Sequence, residues 1–242
     1  METTTNETML TNPSRRNFIK IGGLGLALTG LTLAGCSDDD DGNGNNNNDQ
    51  LPGMRNNVFD FGGGDLGILT YAYALEQLEA EFYTRVVNNA GFGSAFNADE
   101  QGILSDLYAH EVIHREFFRN LLTTMLPNSE TQLLPNLAFN FGSLDFGNHS
   151  AVLGIAQTLE DTGVAAYNGS GFMLESETNL NLAGKIVSVE GRHASAIRSL
   201  INPDSGNFAP SPLDAALPPS QVISQINSLG FITTPFSATY LS

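Results

Sequence analysis

Apolar residues recur at helical spacing in four stretches of the chain. In the first stretch the apolar side chains repeat every three or four residues, at Leu69, Ala72, Leu75, Leu78, Phe82 and Val86. This period predicts an amphipathic helix over about residues 65–89, with Asp65 as its N-cap and Gly91 closing it. Glu76 and Glu79 fall on the same stripe, where an unpaired carboxylate is costly to bury.

Three further helices are predicted, over about residues 97–126, 150–167 and 179–201. A long connection, residues 127–148, separates the second helix from the third, and its phenylalanines are expected to pack along the helices. The pattern therefore predicts an all-α chain, in which two helical hairpins are joined by a long crossover.

The end of the chain carries a weaker pattern. Residues 203–242 contain several prolines and one short amphipathic segment, at about residues 220–229. We expect them to form a tail packed on the four-helix bundle, to which residues 58–202 are assigned. Gly154 and Gly163 in the third helix are interpreted as positions where another helix approaches closely.

Two Glu-x-x-His motifs lie in the second and fourth predicted helices. Residues three apart share a face of a helix, so Glu111 and His114 can direct a carboxylate oxygen and an imidazole nitrogen to one place. Glu190 and His193 can do the same. His110 falls on a different face from His114 and is interpreted as a surface histidine or as a support for a site residue.

The other two helices each carry Leu-Glu followed seven residues later by Tyr, as Glu76 with Tyr83 and Glu160 with Tyr167. Seven residues are about two helical turns, so each tyrosine lies on the face of its glutamate. The order Glu…Tyr, Glu-x-x-His, repeated once, is an internal repeat of a helical hairpin. Di-iron and di-manganese bundles use this set of residues; the alternative is four ordinary helices with polar surface residues.

This series resembles the ferritin-like superfamily over about residues 58–235. Two stretches resemble the desiccation-related branch of this superfamily: the one from Leu75 to Tyr83, and the ending Pro212-Leu213…Val222-Ile223…Phe231-Ile232. The resemblance implies a ferritin-like four-helix bundle that holds two iron or manganese ions. The ligands it implies are Glu76 (or, as an alternative, Glu79), Glu111, His114, Glu160, Glu190 and His193.

The resemblance also implies how these ligands would be used. Glu111 and Glu190 would be the bridging carboxylates, His114 and His193 would each cap one metal, and the two remaining glutamates would be terminal ligands. Carboxylates and imidazoles suit iron and manganese better than they suit soft metals.

Tyr83 and Tyr167 have three interpretations: hydrogen bonds to ligand carboxylates, electron transfer, or ordinary core packing. Two classes of function stay open. The first is a non-haem di-metal oxidoreductase, such as a ferroxidase, a peroxidase, a catalase-like or an oxygen-activating enzyme. The second is a non-catalytic protein that stores metal, protects the cell envelope under stress, or keeps only the bundle.

The N-terminus resembles an export signal. Ser14-Arg15-Arg16-Asn17-Phe18-Ile19-Lys20 is similar to the twin-arginine consensus, and the apolar run up to Leu33 is too short to span a membrane. Leu33-Ala34-Gly35-Cys36 resembles a lipobox, in which the cysteine is lipidated. Residues 1–35 are therefore predicted to be a signal peptide, and Cys36 a lipid anchor that holds an exported protein at a membrane of the cell envelope. An uncleaved anchor or a plain secretory signal is the alternative.

Residues 36–57 are predicted to be a disordered tether, because residues 37–50 are almost entirely Asp, Gly and Asn.

The formal net charge of −16 should repel nucleic acid and anionic surfaces. Cys36 is the only cysteine, so the chain offers no thiolate pair for an iron–sulfur or zinc site. An electron donor would have to be another protein. The sequence leaves open whether the chain forms a homo-oligomer.

Overall fold

Four long helices carry the structure, a computed structural model that describes residues 50–203 and 205–241. The elements in chain order are β1 (Gly53–Arg55), β2 (Val58–Asp60), α1 (Gly64–Val87), α2 (Phe92–Ala95), α3 (Ala98–Met125), α4 (Ser129–Gln132), α5 (His149–Ser170), a 3₁₀ turn (Gly171–Met173), α6 (Glu177–Ile201), α7 (Pro219–Leu229) and β3 (Phe236–Ser237). The four predicted helices correspond to α1, α3, α5 and α6, and differ from the prediction only at their ends.

The long helices form two hairpins, in which α1 packs against α3 and α5 packs against α6. Contacts between α1 and α5 and between α3 and α6 join the hairpins into one bundle. The long connection between α3 and α5 is the crossover that the sequence predicted. The all-α fold with a four-helix bundle is therefore confirmed.

Helix α1 is buried on nearly all of its faces, rather than along one stripe as predicted. Tyr71, Tyr73, Phe82 and Tyr83 are among the largest side chains with almost no solvent contact. A helix that is apolar around most of its circumference can be covered in this way by its neighbours. Within residues 50–203 and 205–241, no helix has the length and apolar character needed to cross a membrane.

Asp65 does not cap α1, so this prediction was wrong. Gly63 occupies the N-cap position, and Asp65 lies in the first turn of α1. The Asp65 carboxylate accepts hydrogen bonds from the N–H groups of Glu175 (2.7 Å) and Ser176 (3.1 Å) and from Nδ2 of Asn179 (2.6 Å). It thereby satisfies donors at the start of α6, because that helix begins beside the start of α1.

Gly91 and Gly154 do not have the roles predicted for them. The C-cap of α1 is Asn88, and Gly91 instead precedes α2. A Cβ atom at Gly154 would meet no other atom within 4 Å, so the predicted close helix approach is absent there. At Gly169 a Cβ atom would lie 1.9 Å from the carbonyl oxygen of Leu217, because the backbone of the C-terminal segment crosses α5 at this point.

A three-stranded sheet, which the sequence analysis missed, joins the two ends of the described chain. β1 and β2 form an antiparallel hairpin whose turn residues, Asn56 and Asn57, have φ values of 50° and 65°. Such mirror-image turns favour asparagine, and the twist they give suits a hairpin. The predicted tether is therefore wrong at its C-terminal end, where Gly53–Arg55 forms a strand. Residues 36–49 and the predicted signal peptide lie outside the described residues.

The C-terminal segment packs on the bundle, as predicted. The Leu217 N–H donates a 3.0 Å hydrogen bond to the carbonyl of Ala165 in α5. Val222 and Ile226 of α7 are buried against the same helix. The segment therefore covers α5 on the side that the long helices leave open.

The phenylalanines of the crossover pack along the bundle, as predicted. The ring of Phe141 lies 6.1 Å from that of Phe82 on α1 and 4.9 Å from that of Phe231 near the C-terminus. Phe146 adds a further contact with Phe82, at 5.9 Å between ring centroids. Aromatic pairs at these separations stabilise the packing beyond the area they bury.

Candidate metal centre

Six side chains that the sequence singled out meet in the interior of the bundle. Helices α1 and α5 each supply one glutamate, and α3 and α6 each supply one Glu-x-x-His pair; the residues are Glu76, Glu111, His114, Glu160, Glu190 and His193. The four carboxylates have no solvent exposure, and the two histidines are buried as well. Since a carboxylate is rarely buried without a partner, these side chains need a compensating charge.

His114 directs its Nδ1 atom at three of the carboxylates. This atom lies 3.0 Å from Oε1 of Glu190, 3.3 Å from Oε2 of Glu111 and 3.4 Å from Oε2 of Glu76. The four residues can each offer one ligand atom such that all four atoms lie within 4.8 Å of one another. They form the first ligand group.

His193 is placed in the same way in the other half of the repeat. Its Nδ1 atom lies 2.7 Å from Oε1 of Glu111, 3.5 Å from Oε2 of Glu160 and 3.8 Å from Oε1 of Glu190. Glu111, Glu160, Glu190 and His193 form the second ligand group, within the same 4.8 Å limit. Glu111 and Glu190 thus belong to both groups, and each group has one histidine and one glutamate of its own.

Most of the donor atoms in the two groups lack a hydrogen bond from a described residue. They are Oε2 of Glu76, both carboxylate oxygens of Glu111, Oε2 of Glu160, both carboxylate oxygens of Glu190, and Nδ1 of both His114 and His193. These atoms are close together, but they are not aligned as donor and acceptor. Each unpartnered buried polar atom costs about 1–3 kcal/mol, and more when it is charged. A bound cation would satisfy them together, so the arrangement fits a metal centre.

Burial raises the pKa of three of the four carboxyl groups. It raises the pKa of Glu76 to about 7, and the nearby charge of Glu111 contributes. The pKa of Glu160 is raised, and that of Glu190 is raised well above its ordinary value, for the same two reasons. Glu111 is the exception: burial opposes its charge, but the two histidines in close contact with it lower its pKa to about 2.

The histidines show the matching shift. Burial alone would lower the pKa of His193, but contact with Glu111 and Glu160 raises it to about 11. The pKa of His114 is also raised, by Glu111, Glu190 and Glu76 against the opposing effect of burial. Without metal, both rings therefore carry a proton in the place that a cation would take.

The two tyrosines bind the carboxylates of the opposite hairpin. The Tyr83 hydroxyl donates to Oε1 of Glu160 at 2.6 Å. The Tyr167 hydroxyl donates to Oε1 of Glu76 in a short hydrogen bond. This is the hydrogen-bonding arrangement among the three that the sequence left open. In each glutamate, one oxygen is held by a tyrosine and the other, Oε2, faces a histidine.

Glu79 is buried beside the two groups but belongs to neither. Its Oε1 atom lies 3.0 Å from the place that a Cβ atom would take at Gly163, which is the equivalent position in the repeat. Gly163 thus makes room for a carboxyl group rather than for a helix, in contrast to the prediction. Burial, together with the charge of Glu190, raises the pKa of Glu79 well above its ordinary value. Of the two alternatives on α1, Glu76 is the residue that lies in a ligand group.

His110 lies directly behind His193. Its Nδ1 atom is 2.9 Å from Nε2 of His193, and the two rings are stacked, with centroids 5.1 Å apart and an angle of 15° between the planes. Its role as a support is the one of the two alternatives that the geometry favours. His149 is the first residue of α5 and contacts Glu100 at 2.8 Å, outside the site.

Comparison with known proteins identifies a family for the fold. A search of curated proteins found no match to the chain. The sequence model of a protein family described as the ferritin-like domain matches residues 64–203, which include all four long helices up to the end of α6. This match covers more than half of the chain, and the protein therefore belongs to the ferritin-like domain family.

Proposed function

We propose that the two ligand groups bind two iron or manganese ions side by side and that the centre carries out redox chemistry with dioxygen or peroxide, or oxidises iron. The observation that carries this proposal is the sharing of Glu111 and Glu190 between the two groups. Each of these carboxylates has two buried oxygens without a hydrogen bond, as a bridging ligand requires. His114 and His193 would each cap one ion.

The charge and the donor types support this assignment. Four carboxylates balance two divalent cations, and the donor set of oxygen and imidazole nitrogen suits iron and manganese. Two such ions would supply Lewis-acid and electron-transfer chemistry to a small oxidant. Cys36, the only cysteine of the chain, is the proposed lipid anchor and lies before the helical domain, so that domain has no thiolate to replace any of these donors.

The protein residues would hold and shield the ions. Tyr83 and Tyr167 fix the outer oxygens of Glu160 and Glu76, so that only the inner oxygens face the centre. The burial of all six side chains keeps bulk water away, which strengthens electrostatic interactions within the site. A bundle with a purely structural role would gain nothing from these unpartnered buried carboxylates, and their cost disfavours that alternative.

Metal content tests the binding step. The chain is purified without chelator, loaded anaerobically with Fe(II) or Mn(II), and compared with a Glu111→Ala/His114→Ala variant. We expect two ions per chain, lost in the variant. The matched control is Glu100→Ala/His149→Ala, which removes a Glu–His contact outside the site and should keep both ions. If the unaltered chain binds no metal after loading, the proposal is wrong.

Oxygen measurements then separate the reactions. Peroxide disproportionation converts two peroxide molecules into water and dioxygen and needs no external reductant, so it should release oxygen. Iron oxidation consumes oxygen when Fe(II) is added in excess. A centre that binds two ions and does neither would favour the alternative, a non-catalytic protein that stores metal or acts under stress.

The proposal for the cell is an exported lipoprotein anchored through Cys36, with its helical domain on the outer side of a membrane of the cell envelope. It is supported by the twin-arginine and lipobox patterns before Cys36. The full chain should fractionate with membranes, and a Cys36→Ser variant should be released from them. An Arg15→Lys/Arg16→Lys variant should remain in the cytoplasm. Equal distribution of all three forms would contradict this proposal.

A further inference from the structure

The two copies of the internal repeat differ at a position next to one of the two site histidines. His114 and His193 occupy equivalent positions, and each points Nδ1 at the carboxylates. The residue before the motif glutamate is His110 in the first half of the repeat and Val189 in the second. At this position the two halves thus differ by one imidazole, just as they differ by one carboxyl group at Glu79 and Gly163.

That imidazole lies within hydrogen-bond distance of His193. The distance from His110 Nδ1 to His193 Nε2 is 2.9 Å. The other ring nitrogen of His193, Nδ1, lies against the carboxylates. Among the described residues, Nε2 of His114 has no hydrogen-bond partner. The orientation of the His193 ring is therefore fixed from both sides, and that of the His114 ring from one side.

The direction of this hydrogen bond follows from the chemistry at Nδ1. A metal ion at Nδ1 of His193 leaves the ring proton on Nε2, and a protonated ring also carries a proton there. Nε2 therefore donates in both states, and Nδ1 of His110 accepts. The contact can thus persist whether or not metal is bound.

We propose that His110 is a positioning residue for His193 and that it makes the group of Glu111, Glu160, Glu190 and His193 the tighter of the two metal sites. This inference rests on the proposed metal binding. A hydrogen-bond partner behind a metal-binding histidine fixes the ring and increases its basicity, and removing such a partner costs about 10–100-fold in metal affinity. The equivalent position, Val189, cannot provide this effect for His114.

The experiment is an anaerobic calorimetric titration of the metal-free full chain with Mn(II). The unaltered chain should bind two ions with unequal affinities. A His110→Phe variant keeps a ring but has no acceptor, and it should weaken the tighter step by about 10–100-fold and the other step less. His110→Asn places an acceptor near the position of Nδ1 and should restore most of the affinity. Val189→Ala is the matched control and should change neither step.

A second measurement observes the hydrogen bond without metal. In protein with ¹⁵N-labelled histidine, scalar coupling across the bond should connect Nε2 of His193 to Nδ1 of His110, and it should be absent in His110→Phe. Unchanged affinities in His110→Phe, or equal weakening of both steps, would overturn the inference while metal binding stands. Failure of the unaltered chain to bind any Mn(II) or Fe(II) would overturn both the proposed function and this inference.

Discussion

Tyr83 on α1 donates a 2.6 Å hydrogen bond to Oε1 of Glu160, the lone glutamate of the other hairpin. Tyr167 on α5 does the same for Glu76, so the exchange is reciprocal. The sequence placed each tyrosine on the face of its own glutamate, but seven helical residues rise about 10 Å, too far for a hydrogen bond. Each hairpin therefore fixes a carboxylate of the other, and the site depends on the docking of the two.

Removing the hydroxyl of Tyr83 tests this dependence. In a Tyr83→Phe variant, Oε1 of Glu160 loses its partner in the interior, and we expect the free energy of unfolding to fall by about 1–3 kcal/mol. Urea denaturation of the metal-free protein measures it. Tyr71→Phe is the matched control, because Tyr71 is equally buried but its hydroxyl has no hydrogen-bond partner among the described residues. Equal losses in the two variants would mean that the bond to Glu160 adds nothing beyond packing.

The two glutamates on α1 can be separated by metal binding. Glu76→Gln removes a charge from the first ligand group, so we expect the chain to bind one ion firmly and the second weakly or not at all. Glu79→Gln should keep both ions, because Glu79 lies outside both groups. Anaerobic Fe(II) titration of each variant gives the stoichiometry. If the results are reversed, Glu79 is the ligand.

The stability of the metal-free protein should fall as the pH rises from about 4.5 to about 7. Burial raises the pKa of Glu76 from 4.5 to about 7, so in this window the folded chain holds a proton that the unfolded chain has lost. Glu160 and Glu190 shift in the same direction. Urea denaturation at several pH values measures the slope, and Glu76→Gln should flatten it. An unchanged slope in that variant would show that Glu76 is not among the responsible groups.

Metal affinity should change with pH in the opposite direction to the stability of the metal-free protein. Each ion takes the place of protons on the carboxyl groups and histidines, so metal affinity should rise with pH over the same window. Calorimetry in two buffers of different ionisation enthalpy measures the protons released on binding. Because the pKa of His193 is raised to about 11, we expect release from this ring even at pH 8. Binding without proton release would contradict a site in which protons hold the place of the metal.

The six site residues could be predicted because they are encoded in local spacing. Glu-x-x-His places two donors on one helical face, and the repeat of the hairpin brings both pairs to one level of the bundle. The capping box at Asn97 and Glu100, which sets the start of α3, is local in the same sense. Such features depend on residues within two helical turns, so the sequence pattern is enough to find them.

The contacts that support the site depend on how distant segments dock. His110 and His193 are 83 residues apart, and Asp65 and Asn179 are 114 residues apart. The pairing of Phe59 with Phe236 closes the sheet across almost the whole described chain. No short period in the sequence reports these neighbours. For the same reason the residue type of Asp65 indicated a helix cap, but not which helix it serves.

Gly163 provides the sharpest test of how closely Glu79 is fitted to the site. Alanine is favoured over glycine in a helix by about 1 kcal/mol, so a glycine-to-alanine change should normally stabilise α5. At Gly163, however, the new Cβ atom would lie 3.0 Å from Oε1 of Glu79 and 3.5 Å from Oε2 of Glu190. We expect Gly163→Ala to lose this gain and to weaken metal binding, because Glu79 is pressed towards a shared ligand.

Gly154 on the same helix is the matched control, since a Cβ atom there meets nothing within 4 Å. Gly154→Ala should raise the free energy of unfolding by about 0.5–1 kcal/mol and leave metal binding unchanged. In a Glu79→Ala background the clash disappears, so adding Gly163→Ala should then stabilise the protein as Gly154→Ala does. Urea denaturation of the unaltered chain, Gly163→Ala, Glu79→Ala and the double variant completes the double-mutant cycle. If Gly163→Ala stabilises equally with and without Glu79, the glycine does not serve to make room for that carboxyl group.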